Sequence, residues 1–198
     1  MRSVINALRM FFWMVLVCGV VYPLLITGIA HLTMPRQAGG SMVCRHGALV
    51  GSQLIAQDFS SNKYFWPRPS AAAYATLPSG ASNFGPTSAA LQKAINERRK
   101  KLLAAHAGKD PALVPQELLF ASGSGLDPHI SKHTAYFQID RVLMARGLSA
   151  HKEEIIQLID RLSCRPWLDP GSEPYVNVLE LNICLDEQYD GEGRAPKP

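Results

Sequence analysis

Hydrophobic positions are distributed along this chain in two different ways. Residues 10–33 form a single apolar stretch of 24 residues without one Lys, Arg, Asp or Glu. As a helix rising ~1.5 Å per residue it reaches about 36 Å, enough to cross a bilayer core roughly 30 Å thick with some tilt. After it the pattern becomes periodic and interrupted, as in a domain that folds around its own core. Pro23 removes one backbone donor and predicts a kink in the apolar helix, a defect that membrane helices accommodate. A cleavable signal peptide is the rival reading: Arg2 and Arg9 would form its charged start, and Gly28, Ile29 and Ala30 its small-residue cleavage site. Signal cores run to only about 7–15 apolar residues, so length favours an uncleaved anchor.

The periodic part predicts an α+β domain. Residues 34–41 read as a Gly-containing juxtamembrane linker. Residues 42–44 and 48–51, flanking Arg45, His46 and Gly47, predict a hairpin. Thr87 after Pro86 can cap a helix to about His106, with Leu91, Ala94, Ile95, Leu102 and Leu103 as its apolar stripe. Asp127 followed by Pro128 predicts the start of a second helix that Gly147 ends after Arg146. Ser149 can cap a third, carrying Ile155, Ile156, Ile159 and Leu162. Leu179, Leu181, Ile183 and Leu185 alternate with Glu180, Asn182 and Cys184, which predicts a half-buried strand. The organisation is then a short N-terminus (1–9), a membrane helix (10–33), a linker (34–41), an α+β domain (42–187) and a disordered tail (188–198).

Charge adds little. All 16 acidic residues and 18 of the 20 Lys and Arg follow the apolar run, so the body carries only two net positive charges and no nucleic-acid footprint. The one basic run, Arg98 to Lys101, falls on a predicted helix and reads as its solvated face. Arg2 and Arg9 before the run are balanced by Arg36 and Arg45 after it, and long domains cross membranes largely regardless of charge. The reading adopted is N-terminus inside and body outside the cytoplasm. Cys18 lies in the run, which leaves Cys44, Cys164 and Cys184, an odd number that allows at most one disulfide.

Candidate chemistry is sparse. His129 and His133, four apart on the predicted helix, would share a face, but further ligands for a metal are missing and the His-Glu-x-x-His pattern is absent. Residues 121–127 form a small, flexible loop that leads to a helix start but lack the Walker ending, and Ser124 is not in a Gly-x-Ser-x-Gly elbow. Residues 79–87 read as a docking loop or a long connection. Tyr64, Phe65 and Trp66 beside Pro67, Arg68 and Pro69 combine the residue types that carry interface energy, though a core strand would use them too.

Several segments together carry a family likeness. They are residues 51–59; Tyr64 and Phe65 with Arg68, Pro69, Ser70 and Ala71; Ser79 and Gly80 with Ser82 and Asn83; residues 121–131; Gln138, Arg141, Val142 and Arg146; and residues 176–186. In their order and spacing the chain resembles the C subunit of the bacterial Kdp potassium-transporting ATPase, with Ala56 standing where the family pattern has Gly. The resemblance implies a non-catalytic, single-span subunit of the inner membrane, associated with a channel-like potassium-translocating subunit and a P-type ATPase subunit that carries the phosphorylated aspartate. K⁺ is then the ion the complex transports, and ATP is used by the complex. No cofactor or metal is expected in this chain. The stretch Leu54, Ile55, Ala56 and Gln57 resembles an ABC-transporter signature and supplies the nucleotide-contact candidates, for a role as a catalytic chaperone that raises ATP affinity. A body outside the cytoplasm favours assembly and stabilisation instead, with Tyr64, Phe65, Arg68, Ser82, Asn83 and Pro23 as partner-contact candidates. The competing hypotheses are a membrane-tethered hydrolase using Ser124 with His129 or His133, and a nucleotide-binding module facing the cytoplasm.

Overall fold

The computed structural model describes residues 1–45, 47–169 and 171–189. The chain divides into two compact units, Met1–Ser52 and the residues from Gln53 onward. His46 and the part of the expected tail from residue 190 lie outside the described residues.

The first unit opens with α1 (Arg2–Leu16) and α2 (Tyr22–Thr33), joined by one π-helical turn over Val17–Val21. Together they make one helix of 32 residues, long and apolar enough to cross a membrane, with no buried side chain. The π turn is the structural answer to Pro23. A proline inside a helix lacks the N–H and presses its ring on the carbonyl four residues back, here that of Gly19. Widening the preceding turn relieves that pressure, and the Tyr22 N–H reaches the Val17 carbonyl five residues away. A short helix, α3 (Pro35–Ala38), occupies the linker, and Ser41 N–H closes on Arg36 O at 2.9 Å. The expected hairpin follows as β1 (Met42–Arg45) and β2 (Ala48–Ser52), antiparallel with a bulge at Val43/Cys44. Ser52 Oγ ties the hairpin back by donating to Gly40 O at 2.7 Å.

The second unit contains α4 (Ala89–Ala105), β3 (His129–Ser131), α5 (Lys132–Arg146), α6 (Lys152–Leu162), β4 (Tyr175–Asn177) and α7 (Val178–Tyr189). Strands β3 and β4 pair antiparallel, with Ile130 opposite Val176, so the α+β class holds with two small two-stranded sheets among the described residues. Ser88, one residue beyond the expected Thr87, caps α4. A 3₁₀ turn over Ser149–His151 precedes α6, so Ser149 is not its cap. Gly147 ends α5 as expected, at φ 72°, where an L side chain would be strained.

Two expectations are corrected. Asp127 does not begin α5: its carboxylate accepts from His129 N–H at 3.0 Å and turns the chain into β3, and Ser131 caps the helix through Thr134 N–H. The residues expected as a strand at 179–185 lie in α7. Asn177 decides this, because its side-chain oxygen accepts from the N–H groups of both Leu179 and Glu180, as an N-cap does. The informative apolar set was Val178, Leu181 and Leu185 around Asn182, a three-and-four spacing, rather than the alternation starting at Leu179.

Two cores result. One gathers Phe65 with Ile139, Val142 and Leu143 of α5, Ile155, Leu158 and Ile159 of α6, and Leu181 and Leu185 of α7. The other gathers Trp66, Phe137, Leu118 and Leu119 with Ile95 and Leu102 of α4. Helix α5 is buried by both, so its apolar positions do not form a single stripe.

Candidate functional site

The segment that joins the two cores is Tyr64 to Pro67, which is neither helix nor strand and places Phe65 in one core and Trp66 in the other. A buried chain must satisfy its N–H and C=O groups, and among the described residues no neighbouring strand does so here. Two helix side chains take that part. Asn182 of α7 accepts from Phe65 N–H at 2.8 Å and donates to Phe65 O at 3.0 Å. Gln138 of α5 accepts from Trp66 N–H at 2.8 Å and donates to Trp66 O at 3.0 Å. Each amide therefore behaves like one residue of a β-ladder, and both are essentially inaccessible to solvent.

Around this clamp lies a charged shell. The Arg141 guanidinium stacks 4.1 Å from the Trp66 ring centroid and donates to Gln138 Oε1 and Asn62 O, both at 2.7 Å. Its Nε donates to His106 Nε2 at 3.2 Å, while His106 Nδ1 meets Leu102 O at 2.8 Å. That pattern fits the neutral imidazole with its proton on Nδ1, as assigned from the hydrogen-bond network. Burial, with Arg141 adding to it against the Leu102 hydrogen bond, drives the His106 pKa down to about 4. Burial also lowers Arg141, yet a guanidinium stays charged, and the acceptors and π-face around it support that charge. On the other side Arg146 lies 5.0 Å from the Tyr64 ring centroid and bonds Asp186 at 2.6 Å, and Tyr64 OH donates to Asp186 at 3.2 Å.

The remaining segments of the family likeness meet at a loop cluster. Arg68 pairs with Asp127 at 3.0 Å, Ser122 N–H reaches Pro69 O at 3.0 Å, and Ala56 N–H reaches Leu126 O at 2.8 Å. Gly125, buried at φ 71°, lies so close to the 80-loop that a Cβ would stand 2.8 Å from Gly80 O. Burial pushes Asp127 up, but hydrogen bonds from His129 and Arg68 outweigh it and hold the carboxyl below its ordinary value. The sequence segments are thus parts of one assembly, although no local pattern joined them.

The other expected site residues fall as follows. Phe65 is fully buried and Tyr64 half-buried, whereas Arg68 and Ser82 are half-buried and Asn83 is exposed at φ 53°. Pro23 sits in the apolar helix after the π turn. Leu54 is exposed and Ala56 buried, and the stretch of Leu54, Ile55, Ala56 and Gln57 is a turn and loop rather than a helix start. His129 lies on β3 and His133 in the first turn of α5, so they do not share a helix face. Among the described residues no group of three or more His, Cys, Asp or Glu is placed to hold a metal ion. Ser124 Oγ accepts from Leu126 N–H at 3.0 Å, and His129 Nδ1 faces Asp127 at 3.7 Å, which is not a nucleophile–base arrangement. All four cysteines are free thiols.

Sequence reasoning gave no role to Asn182, His106 or the Asn177 cap. Gln138 and Asn182 lie in segments of the family likeness, but the local signal of their role, a polar residue surrounded by apolar helix positions, is uninformative until the helix is recognised.

Comparison with known proteins gives one consistent result. Residues 4–187 match the family described as KdpC, the K⁺-transporting ATPase c chain. A protein of Janthinobacterium sp. (strain Marseille), the potassium-transporting ATPase KdpC subunit, is 47% identical over 92% of this chain and 96% of its own length. The protein of the same description from Polaromonas naphthalenivorans (strain CJ2) is 45% identical over 94% and 95%. That from Citrifermentans bemidjiense is 43% identical over 95% and 98%.

Proposed function

The chain belongs to the KdpC family, and from that membership we propose that it is a non-catalytic accessory subunit of an ATP-driven potassium-uptake complex. The observation that carries the proposal is likeness along nearly the whole chain, 47% identity over 92% of it, to a named subunit of such an ATPase. The chemistry agrees. The buried Gln138, Asn182, Arg141 and His106 bond one another and the backbone, as parts that hold a shape do. The helix of residues 2–33 anchors the chain as a single span in the bilayer of a bacterial inner membrane, N-terminus inside, and the body stands outside the cytoplasm. Its partners are the channel-like potassium-translocating subunit and the P-type ATPase subunit.

The contact surface on this reading is the loop cluster, with Arg68, Ser82 and Asn83 at its accessible side and Tyr64 at the edge. Phe65 supports it from within, and Pro23 with its π turn shapes the span for a neighbouring helix. A chaperone effect on ATP affinity then reaches the ATPase subunit as a coupling free energy through the complex. Ala56 is buried and hydrogen-bonded to the 126-loop, which supports such an indirect effect over nucleotide contact by residues 54–57. The geometry at Ser124 favours this reading over a tethered hydrolase.

Mild-detergent pull-down of the tagged full-length chain tests the assignment. Recovery of two larger membrane proteins is expected, and recovery of this chain alone would sink it. Labelling Ser172→Cys in a cysteine-free background from outside intact spheroplasts tests the orientation, with labelling expected. Protection until the membrane is permeabilised would place the body inside.

A further inference from the structure

The basic run on α4 does not behave as a simple solvated face. Arg98 and Lys101, three apart, line a cavity of about 220 Å³ whose walls are Phe59, Trp66, Pro67 and Pro69 with Leu102 and Leu118. Arg99 and Lys100 between them are exposed. Such a volume lies below the roughly 300–1,000 Å³ of small-molecule sites and suits one inserted side chain. Energetic anchors at protein interfaces are single large side chains seated in desolvated pockets of this kind.

The polar groups around the cavity differ in how far they are committed. Ser70 Oγ accepts from Ala72 and Tyr74 N–H, and Tyr74 OH donates to Arg68 O. One Arg98 Nη donates to Leu119 O at 2.7 Å, which fixes the guanidinium and leaves its other donors. Lys101 Nζ stands 5.1 Å from the Trp66 ring centroid, and neither cation has a carboxylate partner among the described residues. Among the described residues Asp58 is the one acid of the lining. The cavity therefore offers an apolar seat, two cations of which one is pre-oriented, and a single repelling charge that disfavours a doubly acidic occupant.

We propose that this cavity receives a segment of a partner protein in which one aromatic or large aliphatic side chain adjoins a carboxylate. The ring or alkyl group occupies the space between Phe59, Trp66 and the prolines, and the carboxylate pairs with Lys101 and Arg98. Arg99 and Lys100 extend the attraction for an acidic partner along the same helix. This deepens the accessory-subunit reading by assigning a docking point, and it rests on that reading for the existence of a partner.

The chain contains three tryptophans, at 13, 66 and 167, so ¹⁹F NMR of full-length chain in detergent with 5-fluorotryptophan resolves the cavity from the rest. Titration with acetyl-Asp-Phe-amide is expected to shift the Trp66 signal saturably in the range of about 1–10 mM, as suits a fragment of an interface. The Trp13 and Trp167 signals stay in place. Lys101→Gln, at an exposed position, weakens binding about threefold, the size of an exposed ion pair. Acetyl-Asn-Phe-amide loses a similar factor and acetyl-Lys-Phe-amide does not bind. No Trp66 shift up to about 20 mM, an equal response to the Lys dipeptide, or unchanged binding in Lys101→Gln would each overturn the proposal. Tighter binding of free phenylacetate than of the dipeptide would overturn the peptide source in favour of a small carboxylate. Pull-down does not depend on these readings, so failure of the cavity and failure of the subunit assignment are distinguishable.

Discussion

Two segments of this chain each combine tryptophan, proline and arginine and have opposite fates. Tyr64, Phe65, Trp66, Pro67 and Arg68 lie against or inside the two cores, with Phe65 at 0% and Trp66 at 8% exposure. Arg165, Pro166, Trp167, Leu168 and Asp169 carry a similar aromatic, proline and charged mixture, yet Trp167 is 85% and Leu168 78% exposed. The first segment is the more apolar, and its backbone is also paired differently. Burying a backbone outside helix and strand is costly unless its N–H and C=O groups are paired, each orphan costing roughly 1–3 kcal/mol. Gln138 and Asn182 supply that pairing to the first segment. In the second, Asp169 N–H meets Pro166 O at 3.3 Å in a turn of its own, and among the described residues no helix amide pairs it. A polar side chain on a distant helix thus decides whether an aromatic segment becomes core or surface.

The strongest way to break the comparison is to remove the clamp. Asn182→Leu keeps the branch point and the number of side-chain heavy atoms but strands two backbone groups of Phe65, and a loss of about 3–5 kcal/mol in urea unfolding of the full chain in detergent is expected. A loss under about 1 kcal/mol would mean that the amide is not what makes burial tolerable.

Next comes acid. His106 is held neutral with its pKa near 4, well below the ordinary 6.5. The unfolded chain therefore binds more protons between those values, so stability is complete above about pH 6.5, falls as pH drops toward 4, and is flat in this group below that. The fall amounts to about 3 kcal/mol by linkage. His106→Gln, which keeps an acceptor for Arg141, is expected to abolish that slope, and urea midpoints across pH 7 to 4 measure it.

Gly125→Ala follows. It combines a strained φ with a Cβ 2.8 Å from Gly80 O, and a loss of about 2–3 kcal/mol with local displacement of the 80-loop is expected. Increased proteolysis near Ser79 and Gly80 would report the displacement. The smallest effect belongs to the exposed segment: Trp167→Ala should leave the stability of the isolated chain within about 0.5 kcal/mol. A larger loss would show that Trp167 is held by contacts after all and would dissolve the contrast.

How much of this was legible in the sequence follows the same physics. The apolar helix, the hairpin at 42–52 and the Gly147 stop were readable because each depends on local pattern or a conformational demand of a few residues. The π turn was not, since the sequence shows Pro23 but not which neighbouring turn widens to relieve it. The alternation at 179–185 does not mark a strand because Leu181 and Leu185, four apart, satisfy helical spacing as well as a period of two, and the Asn177 cap resolves the ambiguity. The start of α5 was misplaced because an Asp-Pro pair serves a turn as well as a helix entry. The loop cluster was least legible of all. Arg68 meets Asp127 across 59 residues and Ala56 meets the 126-loop across 70, contacts that no window of the sequence contains.

The most direct test of the accessory role is K⁺-stimulated ATP hydrolysis by the purified complex before and after this chain is removed, with the isolated chain assayed alongside. Loss of stimulation on removal, its return on adding the chain back, and no hydrolysis by the chain alone are expected. Stimulation that is unaffected by removal, or hydrolysis by the chain alone, would contradict it.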